Sequence, residues 1–289
     1  MGEAAMRSSL RGLTIGDAFG FKLGIRPAMQ ATRRLPDAPW RWSDDALMAS
    51  SVVHVLATHG HVDQDALFAD FVRRFHEQPQ RGYGGGMKRL LGRSDGADWR
   101  EASGRLFGGS GSFGNGAAMR VAPLGAYFAE QPDRVAEQAR LSAAVTHTHP
   151  EGISGAIAIA QAAARLTRDP TCRPADLIAA SLEGVPGGEV RAGLERALTL
   201  DPADPDLAAA TLGNGALITA QDTVPLCVWW SAHYRADPED ALWRLVALEG
   251  DEDTNCAIVA GLWGAAGVAL PARWGAAVER APEFVAGGC

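Results

Sequence analysis

The six residues Gly250-Asp251-Glu252-Asp253-Thr254-Asn255 constrain this chain more than any other stretch. Three carboxylates and two polar side chains stand directly before an apolar run, Cys256 to Leu270, which reads as a buried helix. Carboxylates at the mouth of such a helix are costly to bury unless something neutralises them, and a divalent cation does so. A second acidic cluster, Ser43-Asp44-Asp45, opens a helix far earlier in the chain. Each cluster has two readings. One is an N-cap with acids in the first turn, where the helix dipole favours negative charge. The other is ligation of Mg²⁺, Mn²⁺ or Ca²⁺ by hard oxygen ligands. The later cluster lacks the length, the glycine and the terminal Glu of an EF-hand loop. If the two clusters meet, a pair of metals bridged by a shared carboxylate is the natural arrangement.

The rest of the chain has to bring them together. Its 289 residues are 47% apolar and 21% charged, ordinary values for a soluble globular protein with a substantial core. A net charge of −7 with no basic stripe argues against bulk nucleic-acid binding. Cys172, Cys227, Cys256 and Cys289 lie far apart with no CxxC pair, so zinc spacing is absent and the first three read as reduced core residues. No secretory leader pattern opens the chain and no apolar run reaches membrane-spanning length, so the expectation is a cytoplasmic protein.

Helical spacing dominates throughout. Residues 3–20 carry apolar positions at helical intervals, with a stop near Gly16 or Gly20. Residues 25–42 read as a long irregular loop holding Pro27, Pro36, Pro39, Trp40 and Trp42. Helices follow over 44–59, 63–77, 87–92, 98–106, 133–145, 150–166, 174–182, 188–200, 220–234, 238–248, 253–269 and 272–280, with another from about Ala117. Neither period-2 strands nor a βαβ rhythm is evident. The expectation is one all-α, orthogonally packed domain over residues 1–289, acting as a monomer.

Three further motifs carry chemistry. Gly111-Ser112-Phe113-Gly114-Asn115-Gly116 reads either as a flexible linker or as a loop whose backbone N–H groups cradle phosphate, with Arg120 adding charge from the next helix. In Thr146-His147-Thr148-His149-Pro150 the histidines cap or pack at a helix junction, or hydrogen-bond a substrate. Asp17, between Gly16 and Ala18, reads as a structural hydrogen-bonder.

Taken in order, these residues resemble the ADP-ribosylglycohydrolase family. Arg11-Gly-Leu-Thr-Ile-Gly-Asp-Ala-Phe-Gly20 is similar to its opening RGxxxGDAxG, and Trp42-Ser43-Asp44-Asp45 to its W-T-D-D-T. Gly111 to Arg120 resembles its G-S-x-G-N-G-x-x-M-R loop, Thr146 to Gly155 its T-H helix start, and Gly250 to Thr254 its G-G-D-T-D-T. The resemblance spans residues 11 to about 267. It implies an all-α fold with two Mg²⁺ ions, or Mn²⁺, at the base of a cleft. Ser43, Asp44 and Asp45 would hold one ion, and Asp251, Asp253 and Thr254 the other, with Asp253 bridging. The loop from Gly111 through Ser112, Phe113, Gly114 and Asn115 to Gly116 would wrap the diphosphate and distal ribose of an ADP-ribose-containing substrate. His147 would line the ribose pocket, with Tyr83 and Phe113 near adenine or ribose.

The implied reaction is hydrolysis at C1″ of an ADP-ribosylated acceptor or small conjugate, with Asp44, Asp45 or Asp251 orienting or deprotonating water. A phosphatase acting on ADP-ribose 1″-phosphate and a non-catalytic ADP-ribose binder are the alternatives. Ala46 stands where the family carries Thr, Ser43 for the leading Thr, Glu252 for the middle Thr of the last motif, and Gly24 where many members carry a Glu. That last departure leaves no carboxylate between Phe21 and Pro27.

Overall fold

The computed structural model describes residues 2–24, 26–93 and 98–280. The described chain is all-α, with two isolated β-bridges, Trp40 with Val278 and Gly114 with Thr219, as its only extended pairings. Sixteen α-helices follow one another. The first half contains α1 (Gly2–Leu23), α2 (Pro27–Thr32), α3 (Asp44–His59), α4 (Gln64–Glu77), α5 (Gly85–Leu91), α6 (Trp99–Gly104), α7 (Ala122–Tyr127) and α8 (Pro132–Ala144). The second contains α9 (Pro150–Arg168), α10 (Pro174–Ser181), α11 (Glu189–Ala197), α12 (Pro205–Leu212), α13 (Ala220–His233), α14 (Pro238–Val246), α15 (Glu252–Ala265) and α16 (Ala272–Ala277).

The spine is the pair α1 and α15. Gly12, Gly16 and Gly20 lie four apart and so share one face of α1. A Cβ at these positions would sit 2.3 Å from the Ala260 carbonyl oxygen, 2.2 Å from that of Cys256 and 2.2 Å from that of Glu252. The partners also step by four, in descending order, so the helices run antiparallel with their backbones in contact. At the far end Ser8 Oγ donates to Gly264 O and Ser9 Oγ to Gly261 O, each at 2.8 Å. Such a stripe of small residues lets two helices approach far closer than larger side chains permit. The expected stop at Gly16 or Gly20 is therefore wrong: α1 runs on to Leu23, because these glycines serve packing between helices rather than termination.

Other expectations need correction. The 25–42 stretch contains a short helix, α2, started by Pro27 at its first turn. After the glycine loop comes a single 3₁₀ turn, Asn115–Ala117, before α7 starts at Ala122. Helix α12 forms between 200 and 220, where no helix was expected, with Asp204 capping it through Leu207 N. Cys172, Cys227 and Cys256 are buried free thiols, and Cys289 lies outside the described residues. No described helix is long and apolar enough to cross a membrane.

A second anchor sits beside the spine. Phe19 stacks on Trp274 at 4.1 Å and meets Trp243 edge-on at 5.0 Å. The backbone of Trp40 pairs with Ala277 O and Glu279 N at 2.7 and 2.9 Å, fastening the segment before α3 to the end of α16. The segment before α3 and helix α16 thus both meet near the C-terminal half of α1.

Candidate active site

Asp17 joins the spine to the first acidic cluster. Its wholly buried carboxylate accepts from Ser43 N at 2.9 and 3.0 Å and from Ala46 N at 2.9 Å. These are N-terminal amides of α3 that lack intrahelical partners. Asp17 is the capping carboxylate of α3 although it belongs to another helix. Three residues of α1 thus do two jobs: Gly16 and Gly20 dock α15, and Asp17 between them docks α3. The two acidic clusters meet for that reason.

The meeting point is the floor of a cleft of about 490 Å³ lined by Asp44, Asp45, Asp251, Asp253 and Thr254. Its walls come from Gly82, from Gly84 to Met87, from Phe107, from Ser112 to Gly116, from His147 and from Leu217 to Thr219. The capping and ligand readings now separate. Ser43 Oγ is the cap that accepts from Asp45 N at 3.2 Å; it is buried and, unlike the floor acids, does not line the cleft. The acids are not caps. Asp251 stands at the N-cap of α15 but makes no capping bond, and its Oδ2 accepts from Asn115 Nδ2 at 2.6 Å instead. Asp45 Oδ2 is buried with no hydrogen-bond partner at all.

An unpartnered buried carboxylate oxygen among other carboxylates is an electrostatic debt. Burial, the largest cause in each case, pushes Asp44 and Asp17 up to about 7, Asp253 to about 6 and Asp251 to about 8. Asp45 is raised well above its usual range by burial and then by Asp253, Asp17, Asp44 and Asp251. The donor set is all oxygen, with no thiol or imidazole on the floor, which suits a hard divalent cation and not zinc in a thiolate site. Among the described residues no three His, Cys, Asp or Glu side chains already converge as a metal cage.

These shifts set a sign. Each folded value lies above the unfolded value of 3.8, so the folded state holds the extra protons between about pH 4 and pH 8. Metal-free stability must fall as pH rises through that window. Melts in EDTA should give a higher Tm at pH 5 than at pH 8, and Mg²⁺ should raise Tm more at pH 8. A metal-free Tm that climbs from pH 5 to pH 8 contradicts the arrangement.

The surrounding loops are fitted to the acids. Asn214 O accepts from Asn255 Nδ2 at 2.7 Å and from Asp251 N at 3.4 Å, and a Cβ on Gly250 would fall 1.7 Å from it. Arg81 lies over the Trp42 ring at 3.4 Å, pairs with Glu279, and offers its carbonyl to Asp44 N at 2.7 Å. Gly82, at φ 98°, puts its α-carbon where a Cβ would come within 3.2 Å of Asp44 Oδ1. Gly24 is occupied from across the spine: a Cβ there would meet Glu252 Oε2 at 2.9 Å. Glu252 faces α1, not the cleft, which explains why it has no place among the floor carboxylates.

Two expected substrate contacts lie elsewhere. Tyr83 is buried with its ring edge-on to Phe75 at 5.0 Å and does not line the cleft. Gly111, at φ 76°, packs behind the wall, where a Cβ would fall 2.1 Å from Thr148 Oγ1. Ser112, Phe113, Gly114, Asn115, Gly116 and His147 do line it. Of the two histidines, His149 is the cap, its Nδ1 accepting from Glu151 N at 3.1 Å. Arg120 offers no charge to the cleft, being wholly buried.

An all-α cleft floored by paired acidic helix starts and walled by a glycine loop is the frame of a recognisable class. The ADP-ribosylglycohydrolase family model matches residues 3–286, and the chain belongs to that family. An uncharacterized protein of Archaeoglobus fulgidus is 28% identical over 94% of this chain and 90% of its own length. The ADP-ribosylhydrolase ARH3 of Bos taurus is 32% identical over 52% of this chain, and that of Homo sapiens 37% identical over 40%. The alignments span only 46% and 32% of those two relatives' lengths. A solved structure described as an ADP-ribosylglycohydrolase-related protein complex shares the fold, with a TM-score of 0.70 over 99% of this chain and 95% of its own, at 24% identity.

Proposed function

We propose that the chain hydrolyses the C1″ bond of an ADP-ribose derivative in this cleft, with two divalent cations, Mg²⁺ or Mn²⁺, held by Asp44, Asp45, Asp251, Asp253 and the Thr254 hydroxyl. The observation that carries the reading is Asp45 Oδ2, an unpartnered carboxylate oxygen buried at the floor of a cleft whose opposite wall is the glycine loop. The cations, when bound, supply positive charge that neutralises the floor and polarises the oxygens of the distal ribose.

The chain's own residues do the rest. Phe107 and Phe113, with centroids 5.7 Å apart, give the cleft an aromatic wall suited to a nucleobase. Gly114 and Gly116 line the cleft with backbone, and the room left by their missing side chains is taken by the His147 ring. Asn115 holds Asp251 in place rather than touching the substrate. Water adds at C1″ as the bond to the acceptor breaks; Asp44, Asp45 or Asp251 takes the proton that water gives up, and that same proton passes to the departing acceptor. Asp44 suits this best: its carboxylate lines the cleft, and only its backbone N–H is committed, to Arg81 O.

A panel of arginine, serine, acetyl and 1″-phosphate conjugates of ADP-ribose, assayed with Mg²⁺ and Mn²⁺, tests the proposal. Release of free ADP-ribose from at least one C1″ conjugate is expected. Turnover of the 1″-phosphate alone identifies a phosphatase. Tight binding of ADP-ribose without turnover of any conjugate leaves a binding protein and sinks the hydrolase reading.

A further inference from the structure

Arg120 is a buried guanidinium with no carboxylate beside it. Its Nη1 donates to Gly116 O at 3.1 Å, and its Nη2 donates to Ser142 O at 2.8 Å and to Thr146 Oγ1 at 2.9 Å. The plane of the guanidinium lies over Phe71 at 4.7 Å. Thr146 Oγ1 has one other neighbour, His147 Nδ1 at 2.7 Å. Arginine has only donors, so the Thr146 oxygen must accept from it and its own hydrogen must point elsewhere. Thr146 is wholly buried, and among the described residues the only acceptor its hydroxyl meets is His147 Nδ1. Nδ1 must then be unprotonated, and in a neutral ring the proton sits on Nε2.

Nε2 faces the cleft. It lies 3.4 Å from where a Cβ on Gly114 would be and 3.0 Å from one on Gly116, so the ring rests against the two bare glycines. No group of the chain accepts from it among the described residues. Burial and the Arg120 charge hold the imidazole neutral, its pKa pushed down to about 3.

We propose that Arg120 and Thr146 form a relay that fixes His147 in its Nε2–H form and presents that N–H to an acceptor oxygen of the substrate. Arg120 and Thr146 are positioning residues; His147 is the contact. The relay makes His147 a hydrogen-bond donor of fixed direction and removes it from acid–base chemistry. The identity of the acceptor oxygen rests on the proposed function, but the tautomer does not.

The test is ¹⁵N NMR of the imidazole rings in the full-length, ligand-free protein, with His147 assigned by its loss in His147→Gln. The expected result at pH 7 is an unprotonated Nδ1 and a protonated Nε2. Thr146→Val should release the ring to a mixture of tautomers and weaken ADP-ribose binding by about tenfold, the effect of one hydrogen bond lost to a charged partner. Thr146→Ser should restore both. A protonated Nδ1 in the parent protein overturns the relay whether or not any variant folds. So does a Thr146→Val protein with an unchanged tautomer or unchanged affinity. If the tautomer behaves as stated and neither protein binds ADP-ribose, the relay stands and the substrate reading falls.

Discussion

Asp45→Asn should cost about a thousandfold in turnover and yet raise the melting temperature of the metal-free protein. The two effects share one cause. Asp45 Oδ2 is buried without a partner, and Asp253, Asp17, Asp44 and Asp251 all act against its ionisation. Without cation, exchanging one carboxylate for an amide removes a charge the fold cannot satisfy and supplies a donor to the neighbouring acids. A gain of about 1–2 kcal/mol, or roughly 2–6 °C in Tm, is the expected scale. With Mg²⁺ the order reverses, because the parent gains stability by binding in proportion to ln(1 + [L]/Kd) and the variant has lost an oxygen ligand. Melts of parent and variant in EDTA and in Mg²⁺, beside a turnover assay, read all three quantities. A variant that melts lower than the parent in EDTA and keeps the full Mg²⁺-dependent rise means that Asp45 is structural and the ions are held elsewhere.

How much of this was readable from the residues alone follows from the range of the forces involved. Helices α4 and α14 show their amphipathic period and their capping residues within a few positions, α3 shows its cap and α8 its period, and the extents of all four agree with expectation to a residue or two. The floor carboxylates were visible because charge before an apolar helix is locally anomalous. Asp17 is the structural hydrogen-bonder it was read as, but its partners, Ser43 N and Ala46 N, belong to another helix and were not legible. Tyr83 was placed beside the substrate by resemblance, whereas its ring packs on Phe75. Arg120 was read as a cleft charge because a sequence does not say which way a side chain leaves a turn. One signal was present and misread. Glycines at 12, 16 and 20 repeat at the helical interval, matched by Glu252, Cys256 and Ala260 at the same interval. Glycine in a helical pattern lowers local propensity, which suggests a stop; glycine repeated every fourth residue marks a face where another backbone comes close.

That face carries the second large effect. Gly20→Ala adds a single carbon, and on an open helix surface it would stabilise by up to about 1 kcal/mol. Here the new Cβ would lie 2.2 Å from Glu252 O, 2.6 Å from Glu252 C and 2.7 Å from the α-carbon of Asp253. All three are backbone atoms, so no side chain can turn aside and α15 itself must move. A net loss of about 2–3 kcal/mol is expected once the overpacking exceeds the propensity gain, a fall of roughly 4–8 °C in Tm. The displaced residues are those that bear the floor acids. A shift of about 1 Å at that end of α15 should lower turnover by about a hundredfold even in the fraction that folds. Gly104→Ala, on α6 with nothing within 4 Å of its new Cβ, is the matched control and should be neutral or slightly stabilising. Equal behaviour of the two variants would mean that the stripe tolerates separation and that α15 is held at the site by something other than its contact with α1. Loss in Gly20→Ala alone makes the spine part of the active site, since the distance between two backbones then sets the distance between two clusters of carboxylates.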